Sequence, residues 1–95
     1  MVGIEFEWDL RKDSANRRKH GVGFAEASTV FADPLSITIP DPDHAHDEER
    51  FVIVGQSTKR SLLIVVHTIR QARIRLISAR VATKHERRKY EEASL

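Results

Sequence analysis

Ninety-five residues with 40% hydrophobic and 32% charged content fit one domain spanning 1–95, since a chain of this size buries somewhat over ~60% of its unfolded surface in a single core. No window approaches the ~18 consecutive apolar residues of a membrane span, and Glu5, Glu7 and Asp9 stand where a signal peptide needs cations and then an apolar run; a cytoplasmic protein without membrane contact is expected. The absence of cysteine removes disulfides, thiolate zinc sites and cysteine nucleophiles together, and the net charge of +2 hides a segregation: six acids and no Lys or Arg from Asp33 to Glu49, mostly cations from Arg70 to Lys89.

"GIEFEWD" alternates Ile4, Phe6 and Trp8 with Glu5 and Glu7, the period-two pattern of a half-buried strand. Asp9, a preferred N-cap, opens a helix over "DLRKDSANRRKHG" that Gly21 closes. Lys19 and His20 fall in its last turn, where the helix dipole favours cations by a few tenths to ~1 kcal/mol. "FAEASTVF" predicts a second helix with Phe24, Ala27, Val30 and Phe31 on one stripe, broken by Asp33-Pro34.

Four strands follow: "LSITI", "RFVIVGQS", "SLLIVVHTIR" and "RIRLISAR", dense in β-branched residues and separated by turn-forming stretches. Thr83 and Glu86 form the T-x-x-E capping box of a terminal, mixed-charge helix, "TKHERRKYEEA", which reads as a surface element. The order β-α-α-β-β-β-β-α predicts an α+β fold, an antiparallel sheet with two N-terminal helices and one C-terminal helix packed against it.

Gly-rich phosphate loops, G-x-S-x-G elbows and His-Glu-x-x-His zinc helices are all missing. The D-x-x-H-x-H run of Asp41, His44 and His46 lacks the regular spacing of a closed metal site and reads as a polar loop; neither metal nor cofactor is expected. A hairpin centred on Gln71-Ala72 puts Leu63, Val65, His67 and Ile69 on one face with Ile74, Leu76, Ser78 and Arg80. An unpaired guanidinium is expensive to bury, so Arg80 either meets a carboxylate (Glu48, Glu49 or Glu86) or lies at a rim open to a ligand phosphate. His67 on that face is equally a hydrogen-bonded core histidine.

The strings "FEWD", "KHGV", "F-x-EA-x-x-VF-x-DP", "D-x-x-H-x-x-x-EER", "HT-x-R", "IR-x-ISAR-x-AT-x-x-ER" and "YE", in this order, closely resemble the BrnT family of toxins of type II toxin-antitoxin systems. The resemblance spans nearly the whole chain. It departs at Gly23, Ala45 and Gln71-Ala72, where the family often has Ser, Ser and Gly or Asp, positions in caps and loops. It implies a compact RelE-like fold and RNA cleavage that arrests translation. It also implies inhibition by a BrnA-like antitoxin whose ribbon-helix-helix part binds operator DNA, so that DNA is contacted only indirectly.

Metal-free RNA cleavage needs a base for the 2′-hydroxyl, cations for the pentavalent phosphate and an acid for the leaving 5′-oxygen. His20 at its helix end is the candidate acid or phosphate donor, with Lys19 adding charge. Arg80 and Arg70 are the candidate phosphate clamps, His67 or Glu49 the base, and Arg50 the partner that holds the carboxylates. Lys84, Arg87 and Arg88 on the terminal helix would hold RNA, free or on the ribosome, in a salt-sensitive way. Two other classes compete: a non-catalytic RNA-binding module, whose affinity would survive loss of His20 or His67, and a protein-interaction domain descended from a toxin.

Overall fold

The computed structural model describes residues 3–43 and 48–93, so His44 and His46 of the candidate metal run lie outside the described residues. The chain forms β1 (Phe6–Glu7), α1 (Leu10–His20), α2 (Phe24–Ser28) continued by a 3-10 turn over Thr29–Ala32, β2 (Ile37–Pro40), β3 (Phe51–Gln56), β4 (Leu62–Arg70), β5 (Arg73–Val81) and α3 (Lys84–Ala93). The strands form one sheet in the order β1-β5-β4-β3-β2. No helix among the described residues is long and apolar enough to cross a membrane.

The local signals act as their chemistry dictates. Asp9 Oδ1 accepts from the backbone N–H groups of Arg11 (2.8 Å) and Lys12 (3.2 Å), and Gly21 closes α1 at φ 73°. Gly23 has no side chain to cap α2, and Asp13 of α1 supplies the acceptor instead, 2.8 Å from the Phe24 N–H. In the capping box, Glu86 N–H donates to Thr83 Oγ1 (3.2 Å) and Thr83 N–H to Glu86 Oε1 (2.8 Å). Gln71 and Ala72 both take positive φ, 52° and 64°, as a two-residue hairpin turn between paired Arg70 and Arg73 requires.

Long-range pairing departs from expectation twice. The sheet is mixed, not antiparallel, because β1 adds in parallel to β5, Phe6 opposite Ile74 and Glu7 opposite Arg75. Glu5 and Glu7 meet Arg73 and Arg75 there, at 2.9 and 2.7 Å, and these pairs fix a strand too short to hold itself. Past Glu7 the outer edge of β5 has no strand partner among the described residues. The buried Asn16 amide replaces it, donating to Ala79 O (2.7 Å) and Val22 O (2.8 Å) and accepting from Ala79 N–H (3.1 Å).

The second departure is a bulge. Val66 pairs with Ser78 but His67 with Leu76, which leaves Ile77 as an extra residue on β5 and reverses which face each later residue takes. Leu63, Val65 and His67 therefore share their face with Leu76 and Ala79, under α1 and α2, where Val22, Phe24, Ala27, Val30 and Ile53 complete the core. Ser78 and Arg80 join Ile64 and Val66 on the opposite face, contrary to the uninterrupted register.

Candidate functional site

That opposite face has two unlike ends. At one end α3, which buries none of its own residues, crosses the sheet. Arg80 holds it through a two-pronged pair with Glu86, Nη1 to Oε1 and Nη2 to Oε2 both at 2.8 Å, and Tyr90 donates to Asp33 Oδ2 at 2.6 Å. The Arg80 hydrogen bonds hold the Glu86 carboxyl down at about 2, and burial together with Asp33 pushes the Tyr90 hydroxyl up to about 12. Arg80 is thus a sheet-to-helix clamp, the structural alternative weighed for it above. Between α3 and the strands lies a groove of about 510 Å³ with a floor of Ile37, Ile39, Val52, Val54 and Ile64.

At the other end the same face carries guanidinium groups. Strand alternation places Arg50 beyond Val52 on β3, Thr68 and Arg70 beyond Val66 on β4, and Arg73 and Arg75 opposite them on β5. Glu48 stands between two of these cations, its Oε2 3.1 Å from Arg70 Nη2 and its Oε1 3.5 Å from Arg50 Nε. The buried Nε of Arg50 makes no hydrogen bond among the described residues. An unmet buried donor costs about 1–3 kcal/mol, which a better-placed acceptor would relieve. A cavity of about 560 Å³ wraps around this end of β3 and β4, lined by Glu48, Thr68 and Arg70 and, from the His67 side of the strands, by Phe51 and Ile69, with Glu49 beside them. The Thr68 hydroxyl donates to Glu49 O at 2.6 Å and fixes the loop backbone that carries both carboxylates.

His67 does not reach this cavity's open side. It is 4% exposed, with its ring against Phe31 (centroids 4.8 Å apart, edge-on) and Phe51 (5.8 Å), and Phe31 in turn meets Phe6 at 5.2 Å. Burial lowers its pKa and keeps the imidazole neutral. His20 is distant as well. β1 runs parallel to the start of β5 and α1 reaches Ala79 by Asn16, so His20, a turn further on, lies past Ala79 on the α1 side, away from Leu76 and His67.

Of the residues singled out from sequence, Glu49, Arg50 and Arg70 therefore come together. Lys19 and His20 lie in the last turn of α1, Arg80 sits in the clamp, and Lys84, Arg87 and Arg88 ride on exposed positions of α3. Sequence reasoning passed over Arg73 and Arg75, and named Glu48 only as a possible partner of Arg80. The R-x-R spacing of "RIRLISAR" signals two cations on one strand face, but which face they share with Arg70 depends on the turn and the bulge.

The family model described as "Ribonuclease toxin, BrnT, of type II toxin-antitoxin system" matches residues 8–86. The 1.1 Å crystal structure of the Brucella abortus ribonuclease toxin BrnT is similar over 86% of this chain and 100% of that one, with a TM-score of 0.63 and 21% identity, a likeness of fold. Comparison with curated proteins gave no match.

Proposed function

This chain belongs to the BrnT family of ribonuclease toxins of type II toxin-antitoxin systems, and from that premise we propose that it cleaves RNA at the guanidinium-rich end of its sheet, without a metal ion. What carries the reading is one carboxylate, Glu48, shared by Arg50 and Arg70 beside a cavity that Glu49 also lines. Two guanidinium groups suit a phosphodiester because it gains a second negative charge in the pentavalent state, whereas the one carboxylate they now share carries a single charge.

In this reading Glu49 takes the proton of the ribose 2′-hydroxyl and the freed oxygen attacks the adjacent phosphorus. Arg50 and Arg70 stabilise the added negative charge of the pentavalent state. The 5′-oxygen leaves with a proton from water at the open mouth, and the products are a 2′,3′-cyclic phosphate and a 5′-hydroxyl. Phe51 and Ile69 offer an apolar wall for a base, and His67 and Phe31 back the Phe51 ring from the core. His67 and Arg80 act by positioning. Lys84, Arg87 and Arg88 hold the RNA backbone, and the RNA on translating ribosomes is the target whose loss arrests growth. The reading includes a RelE-like ancestry of the fold, a cytoplasmic location and a BrnA-like ribbon-helix-helix antitoxin that links this chain to operator DNA.

The test is RNA cleavage by the purified chain in excess chelator, with the new ends identified by mass. Cyclic phosphate ends are expected, and oligonucleotides with a 2′-deoxy sugar at the cut should be inert. Cleavage lost on chelation and restored by a divalent ion, or persisting on the 2′-deoxy substrate, contradicts the mechanism.

A further inference from the structure

The apolar groove beside α3 and the guanidinium cluster lie on one continuous sheet face, the floor running along β4 from Ile64 through Val66 and Thr68 to Arg70. Nothing in the cleavage reaction uses the groove. Its floor reaches the sheet edge at β2, where Ile39 is 51% exposed. Along α3 the rim is His85, Glu86, Lys89 and Tyr90; Glu86 is taken up by Arg80, whereas among the described residues no carboxylate stands within ion-pair distance of Lys89.

We propose that this groove is where the antitoxin docks, and that the docking element is an acidic amphipathic helix. This rests on the family reading, which supplies a protein antitoxin, and adds the surface it uses. A volume of about 510 Å³ takes the apolar side chains of one helix stripe rather than a whole helix. Charge complementarity selects acidic flanks, since a helix seated on the floor runs from Lys89 at the rim toward Arg50 and Arg70 at the far end of the face. Continuity of the face gives inhibition: a carboxylate at the end of the docked helix meets Arg50 and Arg70, taking the position proposed for the RNA phosphate. RNA and antitoxin then compete for one set of cations, while only the antitoxin uses the apolar floor.

Two substitutions outside the cleavage site separate these roles. Ile39→Glu places a charge on the floor at an exposed position that folding tolerates, and Lys89→Glu reverses a rim charge. Each full-length variant is titrated calorimetrically with a BrnA-like antitoxin, and RNA cleavage is measured separately without antitoxin. Ile39→Glu should weaken antitoxin binding roughly 30-fold or more, as loss of a central anchor does, and Lys89→Glu about tenfold, more at low salt than at high. Cleavage by Ile39→Glu should stay within about twofold of the wild type. Antitoxin affinity unchanged in a folded Ile39→Glu variant overturns the docking site. Cleavage lost by that variant while antitoxin binding persists assigns the groove to RNA instead. A wild-type chain that binds antitoxin through the groove yet cuts no RNA leaves the docking surface standing and overturns the ribonuclease reading.

Discussion

His67, a candidate base, is buried against Phe31 and Phe51, and that burial should couple its protonation to folding. The unfolded imidazole takes up a proton as pH falls through its ordinary value of 6.5, whereas the buried ring, packed on Phe31 and Phe51, resists it. A depressed folded pKa means that the stability contributed is complete above 6.5 and declines as pH drops below it. His67→Phe, which keeps an aromatic ring and removes the titration, should therefore lose less Tm than the wild type between about pH 8 and about pH 5.5. Parallel declines in the two proteins would show that His67 does not couple protonation to folding. Asn16 makes the opposite point at the same scale. Its helix is polar almost throughout, and nothing in "LRKDSANRRKH" distinguishes the one side chain that completes the backbone bonding of β5.

Elements held by local chemistry were legible, and those held by distant pairing were not. Asp9, Gly21 and the Thr83–Glu86 box act on backbone within a few residues, so their effect is written in the spacing. The parallel seat of β1 and the bulge at Ile77 depend on partners roughly seventy and ten residues away, and no periodicity within one segment encodes them. The bulge decided the fate of Arg80, moving it from the core face to the α3 clamp. Arg80→Ala should accordingly lower Tm by roughly 4–8 °C, the effect of losing about 1 kcal/mol from a partly exposed pair in a domain this small, while turnover is retained. Turnover lost without a change in Tm would return Arg80 to the catalytic candidates. In the wild type the Glu86 contribution is present above pH 4.5 and lost as pH falls from there toward about 2. The β4–β5 turn is the element most open to improvement, since Gln71 and Ala72 hold positive φ with side chains that disfavour it. Replacing them with Asn-Gly should raise stability by about 0.5–1 kcal/mol, read from the denaturant midpoint at constant slope; an unchanged midpoint would mean that the turn stores no strain.

Across the whole molecule, charge segregation is spatial as well as sequential. One sheet face carries Arg50, Arg70, Arg73 and Arg75 at its open end and the α3 cations at the other, while Glu5, Glu7 and Glu48 divide the guanidinium groups into pairs. The segregation was visible in composition, but the sequence spread the chemistry over His20, His67, Arg80, Glu49 and Arg70, which the fold does not gather at one cavity. Glu49, a candidate base, Arg70, a candidate phosphate clamp, and Arg50, expected to hold the carboxylates, are the residues that meet. The most direct measurement is single-turnover cleavage of one RNA, in excess chelator, by the wild type, Arg50→Ala, Arg70→Ala and the double variant, with folding checked by Tm. If the two guanidinium groups serve one phosphate, each single variant should lose about 100-fold or more in rate, and the double variant should lose far less than the product of the two. Folded single variants that cut within a few-fold of the wild-type rate would contradict the account and move the active site away from this end of the sheet.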